Sequence, residues 1–82
     1  MRDESFENKF AIQVGRNIRA ARAKIGMKQE ELCGKANLDR SYLSKVESGS
    51  YNITLVKACA LAVALECPLT EIVSEFNGVK IK

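Results

Sequence analysis

Histidine and tryptophan are absent from this 82-residue sequence, and proline occurs only once, at Pro68. Without histidine, the chain lacks the side chain that enzymes use most often for proton transfer near neutral pH. The sequence also contains no glycine-rich phosphate loop and no pair of carboxylates with evident acid and base roles. We therefore expect a protein that is not an enzyme and that needs no cofactor.

Cysteine is sparse as well. Cys33, Cys59 and Cys67 are odd in number, far apart and set among apolar neighbours. This spacing fits neither a disulfide framework nor the close ligand pairs of a structural zinc site. We interpret all three as thiols packed in a hydrophobic core, and we expect no bound metal.

Long apolar runs are also missing, and none approaches the roughly 18 residues that span a bilayer. The first residues, MRDESFENK, are polar and acidic where a signal peptide is basic and then apolar. We expect a cytoplasmic protein that has no membrane partner.

The sequence does contain 46% apolar residues, spread along the whole chain, and 28% charged residues. This is the composition of one small globular domain. The formal net charge is only +3, but no acidic residue occurs from Lys9 through Gln29. The basic residues of this stretch are Lys9, Arg16, Arg19, Arg22, Lys24 and Lys28. Such an uneven distribution of charge predicts an anionic partner.

The longest amphipathic pattern lies near the N-terminus. Its apolar residues recur at spacings of three and four: Phe10, Val14, Ile18, Ala21 and Ile25. This is the period of a helix with one face in the core. Gly26 predicts the end of this first helix, and Ser5 is the candidate N-cap.

Four shorter helices are predicted to follow the first. The second is QEELCGKA, and the third covers about residues 39–48, with Asp39 as an N-cap whose carboxylate accepts from free backbone amides. The nearly uncharged LVKACALAVALE, capped by Thr54, predicts a buried fourth helix at the centre of the core. The fifth, PLTEIVSEF, begins at Pro68.

Helices two and three are joined by only Asn37 and Leu38, so they must cross at a large angle, as in a helix-turn-helix unit. Because Leu43 and Val46 would face the core, the polar side chains of helix three would face solvent: Arg40, Ser41, Ser44 and Lys45. Arginine, serine and lysine can bond the base edges and phosphates of duplex DNA. The alternative is that this is the ordinary solvated face of an amphipathic helix.

Three stretches, VGRNIRAARAKIGMKQEEL, NLDRSYLSKVESG and NITLVKACALAVAL, resemble in order and spacing the Cro and lambda repressor-like, or XRE-type, family of DNA-binding domains. The resemblance covers about residues 10–76; residues 1–9 would extend helix one and residues 77–82 would form a tail. It implies an all-α, five-helix fold. LDRSYLSKVE with YNITL is most similar to restriction-modification controller proteins, which are small dimeric regulators.

The resemblance also implies roles for single residues. The recognition helix, about residues 39–48, would enter the major groove and read bases through Arg40, Ser41, Ser44 and Lys45. Phosphates would be bound at Gln29, Lys28, Tyr42, Tyr51 and Asn52. Arg22 and Glu47 match a family ion pair between helix one and the end of helix three; the alternative is two unrelated surface charges.

Two-fold dimers on palindromic DNA are the usual mode of this class, so we expect a homodimer on double-stranded DNA. The candidate dimer surface is the apolar part of helix five: Leu69, Ile72, Val73 and Phe76. The alternative is that these residues close the core of the monomer. The final VKIK would be a disordered end or a strand paired across the dimer.

Three other functions compatible with these patterns remain open. A phage-type repressor or a chromosomal XRE repressor would use the same scaffold as a controller protein. An antitoxin or adaptor would use it to bind another protein, but such a module would tolerate acidic or apolar residues on the recognition face, where this chain has Arg40 and Lys45. If the protein activates transcription, RNA polymerase is a further expected partner.

Overall fold

The computed structural model describes residues 4–73. Its elements are α1 (Glu4–Lys24), α2 (Gln29–Ala36), α3 (Arg40–Glu47), α4 (Leu55–Leu65) and a 3₁₀ turn (Leu69–Glu71). No strand occurs in this part of the chain, and the predicted all-α fold class is confirmed. None of the helices between residues 4 and 73 is long and apolar enough to cross a membrane.

The predicted fifth α-helix is wrong over its described part. The αL conformation of Glu66 (φ 57°) ends α4, and only Leu69–Glu71 form a single 3₁₀ turn after it. The carbonyl of the next residue, Ile72, accepts a hydrogen bond of 2.9 Å from Asn17 Nδ2 in α1. Tertiary contacts therefore set the path of this segment, which is too short to be stable as an isolated helix. Residues 74–82, with Phe76 and the VKIK tail, lie outside the described residues.

The core is formed where α1, α2, α3 and α4 meet. Its fully buried large side chains are Ile18, Leu32, Leu43, Leu61, Ile72 and Val46. Val14 and Ala21 are also buried, as their spacing predicts, but Ile25 is exposed because α1 ends at Lys24 and Gly26 turns the chain away with a φ of 66°. The apolar face of α1 is therefore one turn shorter than its sequence pattern.

Two expectations about burial are wrong. Of the cysteines, Cys33 is buried and Cys67 is half-buried, but Cys59 is exposed. Burial raises the pKa of the Cys33 and Cys67 thiols, which keeps both protonated. The second expectation concerned α4, which has only one face in the core, because Val56 and Val63 on its other face are exposed.

Helices α1 and α3 approach closely at Gly15. A Cβ atom at this position would lie 2.5 Å from the carbonyl oxygen of Glu47 and 2.6 Å from that of Val46. Both distances are shorter than van der Waals contact, so the backbones can be this close only because glycine has no side chain. This contact brings the C-terminal turn of α3 onto the middle of α1.

Replacement of Gly15 by alanine should lower the free energy of unfolding by about 1 to 3 kcal/mol, because the added methyl group forces the two helices apart. The matched control is Gly34→Ala in α2, where a Cβ atom would meet nothing within 4 Å. This control should gain about 0.5 to 1 kcal/mol from its better helix propensity. Urea denaturation measures both changes, and a stabilised Gly15→Ala variant would contradict the close approach.

Candidate nucleic-acid interface

Helix α3, the predicted recognition helix, has its apolar and polar residues on opposite sides. Leu43 and Val46 are fully buried, whereas the four predicted base-reading side chains are exposed. These four are Arg40, Ser41, Ser44 and Lys45, and we call the surface that they form the recognition face. Asn37, in the αL conformation with a φ of 57°, makes the sharp turn that leads from α2 toward α3.

Arg40 is an exposed cation of the recognition face and forms an ion pair with α2. Its side chain is 62% exposed, and its only partner among the described residues is Glu30 in α2, at 3.4 Å from Arg40 Nη1 to Glu30 Oε2. Since an exposed pair at this distance is worth well under about 1 kcal/mol, the guanidinium can leave it for a guanine edge at little cost.

Asp39 occupies the N-cap position of α3 with an extended backbone, but its carboxylate makes no cap hydrogen bond to a backbone amide. It accepts instead from the hydroxyl of Ser41. This bond holds the pKa of Asp39 below its usual value, with smaller contributions from the nearby backbone amides of Tyr42 and Ser41. Instead of capping α3, Asp39 therefore orients the hydroxyl group of Ser41. The oxygen lone pairs of Ser41 remain available as acceptors.

Two tyrosines and two lysines form a continuous ladder beside the recognition face. Lys45 Nζ lies 5.3 Å from the centre of the Tyr51 ring and donates to its hydroxyl at 3.4 Å. The Tyr51 and Tyr42 rings are 5.8 Å apart, and Lys57 Nζ lies 4.8 Å from the centre of the Tyr42 ring. Cation–π contacts of this kind contribute about 0.5 to 1 kcal/mol each at exposed sites. The ladder therefore orders two cations along α3 and the start of α4.

Lys57 is a candidate phosphate ligand that the sequence analysis missed. It lies in the first turn of α4, whose N-cap Thr54 accepts a hydrogen bond of 3.2 Å from the Lys57 amide. It is also the only charged residue between Ser48 and Leu65. That isolated charge just after a capping threonine was the available signal, but only the tertiary structure brings it next to Tyr42.

The carboxylate of Glu47 anchors the end of α3. Glu47 is only 3% exposed, and its two oxygens accept from Arg22 Nε at 2.8 Å and Arg22 Nη2 at 2.9 Å. Arg22 Nη1 also donates to the carbonyl of Met27 at 2.9 Å. The bond to Glu47 raises the pKa of Arg22 above its usual value, so the guanidinium stays charged. The geometry is that of a bidentate ion pair between α1 and α3.

Gln29 joins the same carboxylate from α2. Its Nε2 atom donates to Glu47 Oε1 at 3.0 Å, which leaves the second N–H of the amide group for another acceptor. The residue before it, Lys28, has an exposed side chain and donates its backbone amide to Glu31 Oε1 at 3.1 Å. A lysine side chain cannot accept hydrogen bonds, so Glu31 supplies half of a capping box at the start of α2.

The structure brings some of the predicted site residues together and buries others in the core. The recognition face and the ladder lie next to each other, and Asn52 is exposed in the loop between α3 and α4. In the candidate dimer surface, however, Ile72 is fully buried in the monomer, so core closure is correct for this residue and it cannot meet a partner. Leu69 and Val73 are half-buried against the same core.

The sequence profile of the helix-turn-helix family matches residues 18–72, which include α2, α3, α4 and the end of α1. The chain belongs to the XRE-type helix-turn-helix family. Within this family it is 40% identical over 69 residues to the immunity repressor protein of Bacillus phage phi105. The aligned part is 84% of this chain and 48% of the repressor, so the chain spans about half the length of that relative.

Solved structures of helix-turn-helix controller proteins have the same fold. The restriction-modification controller protein C.AhdI from Aeromonas hydrophila matches with a TM-score of 0.73 and 37% identity, over 76% of this chain and 94% of that chain. The controller protein C.Esp1396I, solved as a tetramer in complex with its natural 35 base-pair operator, matches with a TM-score of 0.69 and 36% identity, over 72% of this chain and 78% of that chain.

Replacement of Glu47 by alanine in this helix-turn-helix domain should lower the free energy of unfolding by about 2 to 4 kcal/mol, because it leaves the partly buried Arg22 guanidinium without its counter-charge. The matched control is Glu71→Ala, which breaks an exposed ion pair of 3.2 Å with Lys24. The control should lose less than about 0.5 kcal/mol. Urea denaturation compares the two variants, and equal losses would show that the Glu47 contacts do not anchor α3.

Proposed function

We propose that this protein is a sequence-specific regulator that binds a palindromic operator on double-stranded DNA as a homodimer. The observation that carries the proposal is the recognition face: four exposed polar side chains on a short helix whose other side is locked into the core by Leu43 and Val46. A helix held in this way can enter the major groove without losing its orientation.

Base reading is assigned to the recognition face. Arg40 and Lys45 supply donors of the kind that recognise guanine, and Ser41 and Ser44 can bond to bases or phosphates. Arg40 lies at the N-terminal end of α3, where recognition helices usually touch base edges. The exposed pair with Glu30 is weak, so it does not prevent the guanidinium from reaching a base.

Backbone contacts are assigned to the residues around that face. Lys28 and Gln29 lie at the start of α2, where the helix dipole favours an anion. Tyr51 and Asn52 are exposed in the loop after α3, and Lys57 extends the row at the start of α4. Burial raises the pKa of Tyr42, so its hydroxyl remains a donor for phosphate at any physiological pH. These contacts would position the domain without reading sequence.

A restriction-modification controller is the role that we infer, because the similar solved structures include two controller proteins, one of them bound to its operator as a tetramer. A phage-type repressor is the second candidate, supported by the 40% identity to the phi105 immunity repressor. Both roles require a sequence-specific dimer on DNA. Activation through RNA polymerase would belong to the controller role.

Selection of bound duplexes from a random DNA pool tests the proposed function. It should be made at about physiological salt, where non-specific backbone binding is weak. We expect enrichment of a two-fold palindrome whose half-sites are about one helical turn, or a whole number of turns, apart. If the folded protein enriches no sequence, regulation through direct DNA reading is wrong, and a protein-interaction module is favoured instead.

Replacement of Arg40 by alanine should cost about 1 to 3 kcal/mol of binding free energy on the selected operator and should relax the preference at one base pair of each half-site. The matched comparison is Lys28→Ala, whose side chain is assigned to phosphate. This variant should bind all operator variants more weakly by a similar factor and should reduce the salt dependence of binding by about one counterion per site. Fluorescence anisotropy with single-base operator variants separates the two outcomes. An Arg40→Ala variant with an unchanged base preference would contradict the base-reading assignment.

A further inference from the structure

The two serines of the recognition face differ in how their hydroxyl protons are used. Ser41 donates its proton to Asp39 Oδ2, with 2.5 Å between the two oxygen atoms. Ser44, three residues later on the same helix, has an exposed side chain whose hydroxyl bonds no other described residue. A hydroxyl group has a single proton and two lone pairs. The proton of Ser41 is therefore already donated, whereas the proton of Ser44 is free.

The bond between Ser41 and Asp39 can run in one direction only. An ionised carboxylate has no proton, so Asp39 can accept a hydrogen bond but cannot donate one. The bond from Ser41, with smaller contributions from nearby backbone amides, lowers the pKa of Asp39 below its usual value. The carboxylate therefore stays ionised at neutral pH, and Ser41 Oγ can offer only lone pairs to a ligand.

Both residues are held in place by the start of α3. The carbonyl of Asp39 accepts a helical bond of 3.1 Å from the amide of Leu43, whose side chain is fully buried in the core. Ser41 is the second residue of α3, in the first turn, which recognition helices direct toward base edges. The oriented oxygen of Ser41 therefore lies where the proposed function expects a base.

Base edges fall into two classes for an oxygen that can only accept. Adenine N6 and cytosine N4 are amino groups that donate hydrogen bonds in the major groove, whereas guanine O6 and thymine O4 are carbonyl oxygens that accept them. An amino group satisfies such an oxygen. A carbonyl oxygen would bring two acceptors together, and both would lose the water that they bonded before DNA binding.

We propose that Asp39 is a positioning residue that makes Ser41 an obligate acceptor, so that Ser41 selects an amino base, adenine or cytosine, on the strand that it faces. The keto bases guanine and thymine are rejected at that place. Ser44, whose proton is free, can meet either class of base. This inference rests on the proposed function, because it requires that Ser41 reaches a base edge when α3 lies in the major groove.

Deletion of single groups from the DNA shows which group Ser41 meets. Fluorescence anisotropy of the wild type and of Ser41→Ala, on single-base variants of the selected operator, identifies the base pair whose preference depends on Ser41. Each base pair presents one amino group and one such carbonyl oxygen in the major groove. Purine in place of adenine, or 2-pyrimidinone in place of cytosine, deletes the amino group and should abolish the contribution of Ser41 to affinity. Retention of that contribution would overturn the proposal.

Asp39→Ala gives the deciding measurement. A transition at the same base pair, from A·T to G·C or the reverse, exchanges the amino group and the carbonyl oxygen between the strands. Hypoxanthine and uracil replace guanine and thymine, so that no other group changes. The wild type should bind the exchanged operator about tenfold more weakly, because Ser41 then faces a carbonyl oxygen. In Asp39→Ala the hydroxyl can rotate and donate, so the two operators should bind about equally.

The ratio of the two affinities separates positioning from a structural role. A uniform change in affinity, caused by the lost negative charge or by a less stable α3, cancels in this ratio. Asp39→Asn is a second variant that keeps a good N-cap residue, and its amide can donate to Ser41, so the ratio should fall here too. An unchanged ratio in both variants would overturn the proposal.

A double-mutant cycle excludes direct reading by Asp39. If Asp39 acts through Ser41, adding Asp39→Ala to Ser41→Ala should leave the ratio unchanged. Any preference that remains in Ser41→Ala and is lost in the double variant would show that Asp39 itself meets the amino group, and the positioning role would be wrong. The matched control is Ser44→Ala, which removes the other hydroxyl of the recognition face. It should keep the ratio of about tenfold at this base pair, and an equal loss would contradict the assignment to Ser41.

The proposed function and this inference fail in different ways. If the wild type selects a palindrome but no base pair responds to Ser41→Ala, or the ratio does not depend on Asp39, the DNA-binding function stands and the role of Asp39 is wrong. If the folded wild type selects no sequence, both are wrong. Circular dichroism of each variant shows that its helices are intact before affinities are compared.

Discussion

The carboxylate of Glu47 is the group on which the orientation of the recognition helix depends. A charge that is 97% removed from solvent must be matched by donors, and here they come from two other helices: Arg22 in α1 and Gln29 in α2. Because hydrogen bonds to a buried carboxylate are directional, α3 cannot rotate about its axis without breaking them. The apolar contacts of Leu43 and Val46 supply the burial of α3, whereas Glu47 determines its angle.

The position of Glu47 in turn requires the close approach of α1 and α3 at Gly15. With any side chain at that residue, the carbonyls of Val46 and Glu47 would be displaced, and the Arg22 guanidinium would no longer meet both carboxylate oxygens at hydrogen-bond distance. Gln29 has two expected roles. Its amide group donates to Glu47, and the same amide group lies at the start of α2, where a phosphate is expected to bind. The internal support of α3 and its docking on the DNA backbone would therefore share a residue.

The surface assigned to DNA is polar and carries positive charge. The recognition face and the adjoining ladder present cations, hydroxyls and aromatic rings, which suit a polyanion that is contacted through hydrogen bonds and water. Within this surface, Tyr42 and Lys57 lie where α3, the following loop and α4 meet.

Local sequence determines the four α-helices of this protein and the polar face of the third. Local signals predict the four α-helices, because each signal acts within a few residues. These signals are the apolar period of residues 10–21, the turn at Asn37, the cap at Thr54 and the amphipathic pattern of the third helix. The polar residues of the recognition face follow directly from that third helix. The family resemblance supplied the pairing of Arg22 with Glu47, which residue spacing alone does not reveal.

Other features were decided only by the tertiary structure. Helix α4 is apolar on almost every side, so periodicity could not distinguish its buried face from the exposed Val56 and Val63. The segment after Pro68 has the composition of a helix, yet burial of Ile72 and its bond to Asn17 leave only a 3₁₀ turn in the described part. The ladder joins residues that are up to 15 positions apart, from Tyr42 to Lys57. Local patterns determine helices because a helix is stabilised within one turn, but which faces meet depends on how the whole chain packs.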